Sequence, residues 1–389
     1  MSIVSRESKD EKSISTAIAN FLTAYGILTL LNQCGGSKLK GVPVKELFTY
    51  TLTNAFRMGS FYMQNKLGHI RAGFSKNTYY RFIMSPRTNW LRFTTLLSER
   101  IINGHIRPLT SENRDVCFVI DDSLYERAGF KRTELASKVF DHVSMRCKKG
   151  FRLLTLGWTD GCTFLPINYS LLASNDAENI LGPCNKIDKR TIAGKRRFMA
   201  RQKATTVMVE PLKTALAAGH KAKYVLFDSW FSNPQQILDI KALGLDTIAM
   251  VKRSSKRKYI FNGESKNIRE IFAACKKRRG RSRYLLSIDV KITQGKNAQN
   301  GLDAKIVCLR NRSNRKDWIA IICTDMSLSE NDIIRIYGHR WDIEVLFQDL
   351  QEQSAAPQGI SWPVLRRTYR TCSNGFYTLY AACSIQTRQ

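Results

Sequence analysis

Two short apolar runs in this chain each end in aspartate: Val116–Ile120 leads into Asp121 and Asp122, and Tyr224–Phe227 leads into Asp228. A third acid, Glu344, lies far downstream in a stretch with helical periodicity. Taken singly, a strand-end aspartate is a turn former and a helical glutamate is a surface charge. Together, in a strongly basic chain, they are a plausible ligand set for a hard cation, because carboxylate oxygens suit Mg²⁺ or Mn²⁺. Two such ions about 3.5–4 Å apart activate the attacking oxygen and stabilise the leaving one in phosphodiester chemistry. Asp121, Asp228 and Glu344 are therefore the candidate catalytic and metal-ligating residues, with Asp122 an alternative to Asp121. Tyr337, Arg340 and Glu344 are spaced three and four residues apart, which puts them on one face if the helix is continuous. Arg340 is then placed either to clamp a phosphate beside the metal or to form an ordinary ion pair one turn from Glu344.

The charge balance points to the same partner. Lys and Arg number 62 against 32 Asp and Glu, a formal charge of +30 over 389 residues. A phosphate backbone is the usual polyanion that neutralises such an excess. Lys195, Arg196 and Arg197 stand out as phosphate contacts in the basic connection 175–201. Residues 66–87 interleave basic side chains with Tyr79, Tyr80 and Phe82, a mixture suited to a DNA backbone; a helix-turn-helix and a plain helical bundle are equally compatible with it. No apolar run approaches the roughly 20 residues of a membrane span, and Met1 to Lys12 is too polar for a secretory signal. The 10 cysteines contain no C-x-x-C pair, which argues against a zinc site or a disulfide scaffold and for a reduced, cytoplasmic protein.

Positioning three distant acids requires a particular order of elements. Residues 14–108 read as helical, with apolar periods over 14–31 (stopped by Gly35-Gly36), 44–58 and 90–102. Strands follow at Val116–Ile120, Phe151–Trp158 and Cys162–Leu172, the last two joined at Thr159-Asp160-Gly161. A helix over about 200–218, the strand Tyr224–Phe227, a helix over 234–243 and a strand over 247–251 complete a mixed sheet flanked by helices. Residues 252–325 read as a β-rich insertion with strands near 284–293, 304–309 and 318–323. A last helix over 327–350 has Ser329 as N-cap and Asp332 at its third position.

Three sequence blocks carry a resemblance. Tyr337-Gly338-His339-Arg340-Trp341-Asp342-Ile343-Glu344 looks like the Tyr-x2-Arg-x3-Glu signature of the DDE transposases of the insertion-sequence-4 superfamily. Asp121-Asp122-Ser123 matches that family's first Asp-x-Ser/Thr, and Phe227-Asp228-Ser229-Trp230-Phe231 its second-Asp block. The resemblance implies an α/β, RNase H-like mixed sheet interrupted by a β-rich insertion. It also implies a helical DNA-binding region at 1–110, a core over 111–251, the insertion over 252–325 and the final core helix over 326–351. A homodimer acting with two Mg²⁺ or Mn²⁺ ions would cleave double-stranded DNA at terminal inverted repeats and join the freed 3′-OH to target DNA. Tyr337 and Arg340 would contact phosphate near the cleaved bond, and Trp318 would stack on a flipped base. The family signature continues with Lys seven residues after Glu, where this chain has Gln351, and 352–389 is an atypical tail that a shifted reading frame would explain. A catalytically impaired DNA-binding remnant and an RNase H-like nuclease without strand transfer are the alternative readings.

Overall fold

A computed structural model describes residues 16–56, 73–141, 144–280, 282–293, 301–311, 314 and 317–355. The beginning of the basic, aromatic segment 66–87 and the tail from 356 onward, on which the reading-frame expectation falls, lie outside the described residues.

The N-terminal region is helical. A helical run over 16–24 is followed by α1 (Ile27–Gln33), α2 (Val44–Phe56), α3 (Lys76–Ile83) and α4 (Trp90–Ile101). The single helix expected over 14–31 is broken at Gly26, which adopts a left-handed φ of 56°. The carbonyl of Tyr25 that this break frees accepts a 2.7 Å hydrogen bond from Arg100. Ser75 caps α3 and Asn89 caps α4, each side chain accepting from a backbone N–H three residues on.

The rest is one continuous sheet. β1 (Cys117–Glu126), β2 (Ser137–Asp141), β3 (Arg146–Thr159) and β4 (Phe164–Leu172) come first, followed by the helices α5 (Ile192–Ala200), α6 (Ala204–Val207) and α7 (Val209–Ala217). Next are β5 (Tyr224–Phe227), α8 (Pro234–Ala242), β6 (Asp246–Met250), β7 (Lys258–Phe261), β8 (Glu264–Asn267), α9 (Ile268–Ala274), β9 (Leu286–Ile292), β10 (Leu302–Arg310) and β11 (Trp318–Cys323). The final helices are α10 (Glu330–Gly338) and α11 (Trp341–Ala355). The strand order is β2-β3-β1-β5-β6-β11-β10-β9-β7-β8, with β4 also paired to β3. β3 lies antiparallel to β1, whereas β5 joins β1 and β6 joins β5 in parallel. This is a mixed α/β sheet flanked by helices, as the strand and helix pattern of the sequence leads one to expect. The strands of 252–325 extend the sheet, since β11 pairs antiparallel with β6.

Alternation along β1 sorts its residues between two cores. Phe118 and Ile120 pack in the cluster that includes the N-terminal helices, α7 and α8. Cys117 and Val119 pack on the opposite face with Tyr224, Leu226 and the α10–α11 residues Ile333, Ile336, Tyr337 and Ile343. No helix among the described residues is long and apolar enough to cross a membrane.

Candidate active site

Strand pairing brings the two aspartates together. β1 and β5 run parallel with Ile120 opposite Phe227, so Asp121 and Asp228 are the next pair in register. The alternation that sends Val119 toward α10 and α11 sends Asp121 the same way, while Asp122 points to the other face. There Asp122 forms an ion pair with Arg152 on the neighbouring β3. Asp121 accepts a 2.8 Å hydrogen bond from the backbone N–H of Asp122, and Asp228 one of 2.6 Å from Ser229.

Glu344 reaches this pair through an arginine. The helix expected over 327–350 is two helices, α10 and α11, separated by a turn at His339-Arg340. Ser329 caps the first as expected, accepting from the N–H of Asp332. The break is held from the β3–β4 hairpin: Thr159 Oγ1 donates to Asp342 at 2.7 Å, and Gly161 lies against the His339 ring. A Cβ at Gly161 would stand 2.6 Å from His339 Cε1, and its φ of +84° already favours glycine. The hairpin is itself fixed by the buried Asp160, which accepts from Thr110, Arg114 and the N–H groups of Cys162 and Thr163. Burial alone would raise the Asp160 carboxyl; these hydrogen bonds more than offset it and hold it below the usual carboxylate range.

At the turn, Arg340 points inward, only 13% exposed. Its Nη2 lies 2.6 Å from Glu344 Oε1 and its Nη1 lies 3.7 Å from Asp121 Oδ2. One guanidinium therefore spans two of the three acids. Burial pushes the Asp121 carboxyl up to about 7, with the charges of Asp122 and Asp228 raising it and Asp122 N–H and Arg340 opposing. Tyr337 is buried beside them, its ring centroid 5.8 Å from the Arg340 guanidinium, and burial raises its phenol above the ordinary range.

Among the described residues no group of three or more His, Cys, Asp or Glu side chains stands close enough to hold a metal ion. The donor chemistry nonetheless fits a hard divalent cation. The donors are carboxylates, and one of them is buried with a charge that a single guanidinium does not fully compensate.

The other expected residues lie apart. Lys195, Arg196 and Arg197 are on α5, and no ion pair among the described residues joins them to the three acids. Lys195 is exposed, Arg196 sits 5.9 Å from the Tyr169 ring centroid, and Arg197 is committed to Glu134, with Nε 2.6 Å from Oε1. Trp318 is already stacked on Phe272, ring centroids 4.1 Å apart at 12°, with Arg253 over it at 5.2 Å. Sequence reasoning assigned no role to Arg152, which pairs with Asp122, or to Trp230, two residues beyond Asp228. The Trp in the Asp-Ser-Trp-Phe block was the available signal.

A family model described as DDE superfamily endonuclease matches residues 63–284. The chain belongs to this family. The matched span contains the β1–β5 pair with Asp121 and Asp228 and stops before Glu344. Among solved structures, the chain is similar to the Drosophila P element transposase strand transfer complex at 10% identity and a TM-score of 0.25. That similarity covers 70% of this chain and 57% of the other, so the chain spans little more than half of the solved one. None of the curated proteins matches it.

Proposed function

We propose that this DDE endonuclease is a transposase of the insertion-sequence-4 type. It cuts double-stranded DNA at the inverted-repeat ends of an insertion sequence and joins the freed 3′-OH to target DNA, working as a homodimer with two Mg²⁺ or Mn²⁺ ions. The observation that supports this most is the register of β1 and β5, which sets Asp121 beside Asp228 on the face toward Glu344, in a chain of net charge +30. Asp121, Asp228 and Glu344 are the residues that hold the ions. Once bound, the ions polarise the scissile phosphate and lower the pKa of the attacking water or 3′-OH. Asp121 must lose its proton to serve as a ligand, and its raised pKa makes that step easier above neutral pH. Arg340 then exchanges its carboxylate partners for a phosphate oxygen, a contact for which its planar fork is suited. Tyr337 supplies a buried hydroxyl beside the same phosphate. Lys195 and Arg196 follow the flanking backbone.

The test is cleavage and joining of a DNA fragment carrying the element's own ends, with Mg²⁺ or Mn²⁺. Asp228→Ala should abolish cutting and leave end binding largely intact. Cutting by this variant at the wild-type rate rules out the assignment. Nicking without joining marks a nuclease, and binding without either marks a DNA-binding remnant.

A further inference from the structure

β2 and β3 form a ribbon that runs beyond the rest of the sheet. Pairing of β3 with β4 ends at Arg152 and with β1 at Gly150, whereas β2 stays paired with β3 as far as Asp141 and Arg146. Lys138 stands opposite Lys149 and Phe140 opposite Cys147, so these four side chains share one face of the ribbon. All four are exposed. That face carries two cations and no acid. The nearby carboxylates serve the other face, where Lys148 Nζ lies 2.5 Å from Glu126 and 3.3 Å from Asp141. No ion pair among the described residues joins Lys138, Arg146 or Lys149 to a carboxylate.

Two lysines directly opposite each other repel and weaken the pairing of their strands. Lys149 Nζ also lies 4.4 Å from the Phe130 ring centroid, a contact that holds the ammonium in place without neutralising it. Phe130 is followed by the exposed Lys131 and Arg132, which extend the positive patch. An anion seated between Lys138 and Lys149 turns their repulsion into shared attraction. Duplex DNA supplies such anions in a row, and its major groove admits a two-stranded ribbon. The same cations disfavour a second copy of this chain, itself at +30, as the occupant. Thr155, the residue opposite Asp121, is on the same strand as Lys149. At about 3.3 Å per residue the two are roughly 20 Å apart, or about six base pairs of B-DNA at roughly 3.4 Å each.

We propose that the β2–β3 ribbon is a duplex-DNA contact remote from the acids, with Lys138 and Lys149 gripping backbone phosphates about six base pairs from the cleaved bond. This rests on the DNA-cutting reading above and adds to it a binding surface on a separate part of the sheet.

The full chain is titrated with a duplex that carries the element's own end and extends well past the cut on both sides. Affinity as a function of salt and hydroxyl-radical footprints are measured for wild type, Lys138→Gln/Lys149→Gln and Lys138→Arg/Lys149→Arg, with far-UV circular dichroism to verify folding. The glutamine variant should flatten the slope of log K against log salt by roughly 2, one phosphate contact for each lysine. Its footprint should lose protection about six base pairs from the cut and keep it elsewhere. The arginine variant retains both charges and should match wild type in slope and protection. An unchanged slope and footprint in the glutamine variant overturn the ribbon contact while leaving the DNA-cutting reading intact. The same result with weakened binding to polyglutamate marks an acidic protein as the partner and also overturns it. An arginine variant that tracks the glutamine one overturns it as well. Failure of wild type to bind the duplex overturns both readings.

Discussion

Replacing Asp121 with asparagine should stabilise the metal-free protein above neutral pH. The carboxyl is pushed up from an ordinary 3.8 to about 7 because it is buried, 17% exposed, with Arg340 3.7 Å away as incomplete compensation. A folded-state pKa above the unfolded one means that folding favours the protonated acid. That stabilisation is complete below about 3.8 and is lost as pH rises through about 7. A shift of roughly three pH units at about 1.4 kcal/mol each sets a ceiling of about 4 kcal/mol, and residual solvation of the carboxylate reduces this to about 2–4 kcal/mol. The assay is thermal unfolding in EDTA at pH 6 and pH 8.5. The wild-type midpoint should fall between these conditions, the Asp121→Asn midpoint should fall much less, and added Mg²⁺ should restore the wild type alone. A wild-type midpoint that does not change between the two pH values refutes the argument, as does an asparagine variant that tracks the wild type.

Removing the guanidinium with Arg340→Gln leaves Glu344 and Asp121 without their shared partner. Urea denaturation in EDTA should show a loss of about 1–3 kcal/mol, and Mn²⁺ should raise the midpoint more than it does in wild type. Ser329→Ala deletes the α10 cap and should cost about 1 kcal/mol by the same method. Gly161→Ala drives a methyl into the His339 ring at a positive φ; we expect a stability loss of about 1–3 kcal/mol and reduced metal-induced stabilisation, measured by thermal shift with and without Mn²⁺.

The strand that leads into Asp228 and the strand over 318–323 were legible because their signals are local. Tyr224–Phe227 and Trp318–Cys323 are apolar runs cut off by polar residues, and they are strands with those bounds. The Ser329 cap was equally plain. Elements with mixed composition were missed. β2 alternates over only five residues with a buried serine as its first member. The β7–β8 hairpin turns at Asn262-Gly263, both at positive φ, a strong hairpin signal masked by the lysines and arginines before it. The periodicity over 327–350 ran through a helix break that is imposed by Thr159 and Gly161, residues on a distant hairpin. At the site, the acids could be named from the chain but their pairing could not. Preference for Asp121 over Asp122 rested on motif alignment, whereas in the structure strand parity separates their faces. The guanidinium between Asp121 and Glu344 exists only once β1 and α11 are packed together.

The continuity of the sheet has a temporal side. β1 and β5 can pair as soon as both have been synthesised, but Glu344 follows β6 through β11 and the turn after α10. At about 5–20 residues per second of synthesis, on the order of ten seconds separate the emergence of Asp228 from that of Glu344. Throughout that interval the nascent chain holds two of the acids and lacks the third, so under the proposed function its site stays incomplete until α11 is made. The delay between the first pair of acids and the third is set by the length of sheet that lies between Asp228 and Glu344.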